Sequence, residues 1–222
     1  MRGGLRGTVR MGCPALIGAR LGTQGLPHVD LPAILGRFHE SHPQVVIRLR
    51  GATGGSTAQL VEVVGGGLDL ALVGTIERPA GIRLFPLGSV RCCLVCSGHN
   101  PLAGATSVTL ADLAHETFVD FPVGWGIRTL VDRAFALAGV VRDVPFEAAD
   151  QASALALVRN NLGVAFLPRE GSETPETAVV DVTGVDLDLS VALATPADRS
   201  PSPVTAALVH AILAAAGDAT AT

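Results

Sequence analysis

The chain has 222 residues, enough for one large domain or two smaller lobes with a buried core. It is 48% hydrophobic with a mean hydropathy of +0.45, yet charges and prolines cut every apolar run short of the ~18 residues a membrane helix needs. A formal net charge of −4 and a pI near 5.8 leave no electrostatic footprint for nucleic acid, and no Lys/Arg stripe or aromatic platform supplies one locally. The N-terminal stretch carries basic residues but no continuous apolar segment, because Arg10 and Arg20 break it. That argues against a secretory signal and for a cytoplasmic protein.

In chain order, residues 9–13 are expected to form a first strand, followed by a long connection containing Gly18, Gly22 and Gly25. A helix is expected over 28–41, where Leu31, Ile34, Leu35 and Phe38 fall at helical spacing and Pro43 lies just beyond. Residues 45–50 read as the next strand. A glycine-rich turn over 51–56 then leads into a second helix, with Ser56 or Thr57 as its cap. Residues 68–73 are the third strand, so the order is βαβαβ with right-handed crossovers and a mostly parallel sheet.

The extended segment 81–87 is placed to carry the chain onward. It is followed by a strand over 90–97, a turn over 99–102, a short helix over 110–114 and a strand over 117–121. The loop Pro122-Val123-Gly124-Trp125-Gly126 opens a helix to about residue 138, and 144–148 is another strand. Asp150 or Ser153 caps the next helix, which runs to Asn160, and 164–167 returns as a strand. Strands over 178–182 and 189–194, a helix over 204–215 and a frayed tail from 217 complete the pattern.

Two of these stretches share one grammar: QLVEVVGGGLDLALVG (59–74) and ALALVRNNLGVAFLP (154–168). Each is an apolar helix closed by glycine, with the chain returning as a short buried strand. Two such units far apart predict two α/β lobes, and two lobes predict a cleft.

The four cysteines are Cys13, Cys92, Cys93 and Cys96. Cys93 and Cys96 have a redox or metal spacing, but they lie in a run of strand length rather than at a helix N-terminus. Residues three apart on a strand point to opposite faces, and no second ligand pair follows. Buried structural cysteine is the favoured reading, with redox sensing second and metal binding last. Asp69 reads as a structural residue at the helix–strand junction. The six histidines are scattered, and no Gly-x-Ser-x-Gly elbow is present.

Five segments in register resemble the effector-binding domain of LysR-type transcriptional regulators. They are Gly7-Thr8-Val9-Arg10-Met11-Gly12, Phe38-His39-Glu40-Ser41-His42-Pro43, Gly67-Leu68-Asp69-Leu70-Ala71-Leu72, His99-Asn100-Pro101-Leu102 and the run 157–168. The match covers about residues 7–215. It implies an α/β, type 2 periplasmic-binding-protein-like fold of two lobes with mixed, mostly parallel sheets joined by two crossover segments. Lobe I would take 7–87 plus 169–222, and lobe II 88–168. The resemblance also implies a non-enzymatic sensor without metal or cofactor that pairs as a homodimer or higher oligomer. The family contacts DNA only through an N-terminal winged helix-turn-helix. With Met1 a few residues before the first strand, that reader is expected to be absent from this chain. The connection 18–27 is longer than the family's usual spacing.

Ligands in open α/β sheets bind beyond the carboxyl ends of strands, at helix N-termini. Geometry and resemblance together nominate Ala15, Leu16 and Ile17 after the first strand, Thr53, Gly54 and Ser56 in the turn, and Gly74 and Thr75 after the third strand. From lobe II they nominate Val123, Gly124, Trp125, Gly126 and Phe166. The glycine turn offers N–H groups to a carboxylate, or serves simply as a capped helix start. Trp125, the only tryptophan, is a candidate pocket wall for an aromatic or carboxylate effector. Arg128 is either an anion partner or a surface residue. A periplasmic-type solute-binding protein and a cysteine-based redox sensor are the competing readings.

Overall fold

The computed structural model describes residues 4–13, 29–51 and 53–219. The first half follows the expected order: β1 (Gly7–Cys13), α1 (Leu31–Ser41), β2 (Val45–Gly51), α2 (Gly55–Val64) and β3 (Leu70–Thr75). β1 lies between β2 and β3 and runs parallel to both. Asp30 starts α1 by accepting the Ala33 N–H at 2.9 Å, and Leu31, Ile34 and Phe38 form its buried stripe.

α2 starts differently from expectation. Its N-cap is Gly54, with no side-chain cap. The Ser56 hydroxyl instead accepts the Gly74 N–H at 3.0 Å, tying the start of α2 to the end of β3. The exit matches the glycine grammar. Gly66 is left-handed (φ +77°), and the Gly67 N–H reaches back to the Glu62 carbonyl at 2.8 Å. Asp69 then accepts the Arg10 backbone N–H at 2.8 Å and its guanidinium at 2.7 and 3.1 Å, locking this junction to β1.

β4 (Ile82–Ser97) is one 16-residue strand where the sequence suggested two pieces. Its first half pairs antiparallel with β10 (Asp188–Pro196), and its second half with β8 (Ala165–Pro168) and β9 (Thr177–Val182). Pro86 and Gly88 fall where the register against β10 shifts between Val191 and Ala192. A bulge absorbs the missing N–H. β9 also pairs with β5 (Ser107–Val108), a strand too short for periodicity to register. β6 (Thr117–Asp120) pairs with β7 (Asp143–Glu147) and joins the β8 side through Val164.

The eight strand pairings among the described residues divide into four parallel and four antiparallel. The sheet is therefore mixed rather than mostly parallel. The cause is that β4 and β10, the long strands linking the two halves, run antiparallel to all their partners.

α2 covers one face of the first half with Leu60 and Val63 on Leu68, Ala71, Val73, Ile82 and Ala194. α1 and α5 (Pro203–Ala219) pack together on the same sheet. The second half carries α3 (Gly126–Ala138), α4 (Gln151–Arg159) and an aromatic core. In that core the Phe135 ring stands edge-on to Phe118 and Phe166 at 5.4 and 6.0 Å. Asp150 caps α4 through the Ser153 N–H at 2.7 Å, one of the two residues expected to do so. No helix among the described residues is long and apolar enough to cross a membrane.

Candidate functional site

The N-termini of α2 and α3, one from each half, meet head on. The Thr57 N–H donates to the Gly124 carbonyl at 3.1 Å. Glycine makes this approach possible on both sides. A Cβ at Gly55 (φ +65°) would lie 2.6 Å from the Gly124 oxygen and 2.7 Å from Trp125 Cδ1. A Cβ at Gly126 would lie 2.5 Å from the Gly74 oxygen. These glycines are where two backbones touch.

Beside this contact lies a cavity of about 700 Å³ lined from both halves. Ser56, Thr57, Leu60, Val61 and Val64 of α2 face Gly124, Gly126 and Thr129 across it, with Gly74, Thr75 and Ile76 between. At its rim Arg133 of α3 pairs with Glu77 at 3.0 Å, a second link between the halves. Thr75 is turned into its own loop, its hydroxyl donating to the Glu77 carbonyl at 2.7 Å.

Trp125 is the N-cap of α3, only 4% exposed, and stacks on Phe121 with centroids 5.8 Å apart. Its indole N–H has no hydrogen-bond partner among the described residues. The loop holding it is fixed by a network of charges with buried Arg142 and Asp120 at its centre. Arg128 donates to the Phe121 carbonyl at 3.0 Å and pairs with Asp132 at 2.8 Å and Glu147 at 3.5 Å. Arg142 pairs with Asp120 at 2.7 Å and also with Asp132, and its guanidinium lies 5.1 and 4.9 Å from the Phe118 and Phe135 ring centroids. Burial pushes the Asp120 carboxyl above its ordinary range despite Arg142. Arg128, its side chain 13% exposed, is thus already engaged by carboxylates of its own lobe.

Of the nominated residues, the structure brings together Gly54, Ser56, Gly74, Thr75, Gly124, Trp125 and Gly126. Thr53 is exposed near this corner, and Val123 is 72% exposed. Phe166 is 1% exposed in the aromatic core, away from the contact. Ala15, Leu16 and Ile17 lie outside the described residues. Sequence reasoning missed Gln59, a buried amide beside β1 with neither its nitrogen nor its oxygen bonded among the described residues. The available signal was a polar side chain at the start of an otherwise apolar helical run.

A sequence profile described as the LysR substrate binding domain matches residues 2–217. The chain belongs to that family. Among curated relatives, this LysR domain is 29% identical over 203 residues to the transcriptional dual regulator GltC of Bacillus subtilis (strain 168), covering 89% of the chain and 64% of GltC. It is 26% identical over 175 residues to the uncharacterized HTH-type transcriptional regulator YybE of the same organism, covering 78% of the chain and 59% of YybE. The chain thus spans about three fifths of the length of these relatives.

Among solved structures, the effector binding domain of QuiR in complex with shikimate superposes with a TM-score of 0.79 at 20% identity, covering 96% of this chain and 99% of that one. The BenM effector binding domain with benzoate gives 0.70 at 19%, covering 97% and 94%. The fold of this LysR domain is the type 2 periplasmic-binding-like one.

The four thiols of the LysR domain are free and buried. Burial pushes Cys13 and Cys92 up to about 12 and Cys93 up to about 11, and raises Cys96 as well. Thiolate is the reactive species, so these positions are poorly suited to redox sensing.

Proposed function

We propose that the chain is the effector-sensing domain of a LysR-type transcriptional regulator, binding a small molecule between two lobes and carrying out no catalysis. One observation carries the reading: helix N-termini from the two halves meet at a glycine-lined contact flanked by a cavity that both halves line. Lobe I begins at residue 7 and lobe II at residue 88. Because β9 pairs with Leu94, Val95, Cys96 and Ser97, the return to lobe I falls at 183–188 rather than at 169. A carboxylate or aromatic effector suits backbone donors beside an indole. The shikimate of QuiR and the benzoate of BenM are both carboxylic acids.

Output requires that the effector prefer one lobe arrangement, since equal affinity for both shifts nothing. Val46 and Leu49 on the edge strand β2, and Leu137 and Val141 at the end of α3, are exposed apolar residues. They are suited to a side-by-side antiparallel homodimer, α1 and β2 of one copy against α3 of the other. DNA contact in such a regulator belongs to a winged helix-turn-helix, and the domain works in the cytoplasm.

A thermal-shift screen with small carboxylates and aromatics tests this. A true effector at a hundred times its Kd adds about 2.7 kcal/mol, which raises Tm by about 5–10 °C at this size. A screen in which no compound moves Tm, with the cavity occupied by side chains in a crystal structure, would overturn the reading.

A further inference from the structure

We infer that the cavity between the halves takes a small aliphatic zwitterion of the α-amino acid class. Arg133 receives its carboxylate, Glu77 its ammonium group, and the aliphatic wall of α2 its apolar body. The inference deepens the sensing role proposed above and rests on it.

Among the described residues that line the cavity, Arg133 and Glu77 are the only charged ones. Arg133 comes from α3 and Glu77 from the crossover between β3 and β4, so the two charges belong to opposite halves. They pair at 3.0 Å, and neither has another ion-pair partner among the described residues. The Glu77 backbone is held in place by Thr75, whose hydroxyl donates to its carbonyl at 2.7 Å and accepts its N–H at 3.1 Å. The paired side chains are 52% and 73% exposed, and such a pair opens readily.

The wall beside these charges is aliphatic. Leu60, Val61 and Val64 of α2 form it together with Ile76, Pro79 and Ala80 of the crossover. Val61 and Val64 are 68% and 48% exposed, apolar surface that an aliphatic ligand would cover. No aromatic side chain lines the cavity among the described residues, so a ligand ring finds nothing to stack on. Three of the four lining hydroxyls are already bonded. Ser56 accepts the Gly74 N–H, Thr75 is held on Glu77, and Thr129 donates to the Trp125 carbonyl at 3.0 Å. Polar recognition therefore falls to the two charges.

Their arrangement selects the ligand class. A lone carboxylate at Arg133 would replace Glu77 by an equivalent group, gaining no ion pair and cutting the link between the halves. A lone amine at Glu77 would do the same from the other side. An α-amino acid carries both charges on one carbon, so it exchanges one ion pair for two and keeps the halves bridged. A signal needs differential affinity for one arrangement, and of the three charge types the zwitterion supplies it through this pair.

Isothermal titration of the chain with L-leucine, isocaproate (leucine without its amine) and isoamylamine (leucine without its carboxylate) tests this. L-leucine is expected to bind tighter than either by about tenfold or more. Glu77→Gln should weaken leucine by about tenfold or more while leaving isocaproate unchanged or tighter. Arg133→Gln should weaken leucine and isocaproate and spare isoamylamine. Both side chains are exposed, and circular dichroism checks that the variants fold. Isocaproate binding as tightly as leucine, or leucine affinity unmoved by either substitution, overturns the inference and leaves the sensing role standing. Silence toward all three probes overturns it too. A response to benzoate in that case would preserve the sensing role, and silence toward benzoate as well would count against both.

Discussion

Gly126→Ala probes the contact between the lobes most directly. The added Cβ would lie 2.5 Å from the Gly74 oxygen, 2.9 Å from the Gly74 carbonyl carbon and 3.1 Å from Leu189 Cδ2. Two of these three atoms are backbone, so no rotamer change relieves the clash. Ordinary contact begins near 3.4 Å, which requires α3 and the end of β3 to part by about 0.9 Å. Parting the lobes forfeits the Thr57–Gly124 hydrogen bond, about 0.5–1.5 kcal/mol, and the exposed Arg133–Glu77 pair, about 0.2–1 kcal/mol. Closure is thus weakened by about 0.7–2.5 kcal/mol, a shift of roughly 3- to 70-fold. Within each lobe, alanine in the first turn of α3 is favourable by about 0.5–1 kcal/mol, so global Tm should barely change. Amide hydrogen exchange separates the two effects. The Thr57 amide should be protected in the ligand-free wild type and exchange faster in the variant, while the Ile34 amide, bonded to Asp30 within α1, keeps its rate. Unchanged Thr57 protection in Gly126→Ala would refute the lobe-contact reasoning.

Three other outcomes are expected. Arg142→Met removes the nearest cation from buried Asp120 and leaves it Arg128 at 3.6 Å and the Phe121 N–H at 2.7 Å, so chemical denaturation should show a loss of about 1–3 kcal/mol, short of the about 3–5 kcal/mol of a wholly stranded charge; a loss under about 1 kcal/mol would contradict the buried-pair assignment. At Asp69, burial pushes the carboxyl up but is outweighed by Arg10, which holds it below its ordinary value. Its folded pKa is lower than its unfolded one, so the contribution is present above the unfolded value near ~3.9 and fades as pH falls through the folded one. Asp69→Asn should therefore flatten the acid limb of the stability profile, and an acid limb identical to wild type would argue against it. With thiols at about 11 to 12, native protein at pH 8 should label with a disulfide reagent only as fast as it unfolds; rapid labelling of Cys93 would revive the redox reading.

Punctuation was the legible part of the fold. Gly65, Gly66 and Gly67 end α2 by a local rule, and Asp150 starts α4 by another, so both showed in the sequence without tertiary knowledge. The continuity of β4 did not. Pro86 and Gly88 look like breakers in isolation, and only the register shift on β10 shows how the strand tolerates them. Ser56 illustrates the same limit in the site. A hydroxyl at a helix start reads as a cap, but here the Gly74 N–H reaches it first. Phe166 belongs to a return strand buried throughout, where alternation cannot tell the cleft side from the core side.

The glycine contact also constrains how an effector can act. An anion at a helix N-terminus uses the free N–H groups of the first turn, yet the Thr57 N–H is already satisfied by the Gly124 carbonyl of the opposite lobe. A ligand that took this donor would have to displace the carbonyl and would favour parted lobes. A ligand seated in the cavity without taking that donor touches both lobes and leaves the contact intact, so it favours the closed arrangement. A ligand shifts an equilibrium only by its differential affinity for the two states. The direction in which Thr57 exchange moves on binding therefore tells the two modes apart: added protection fits a ligand held in the cavity by both lobes, and lost protection fits capture at the helix terminus.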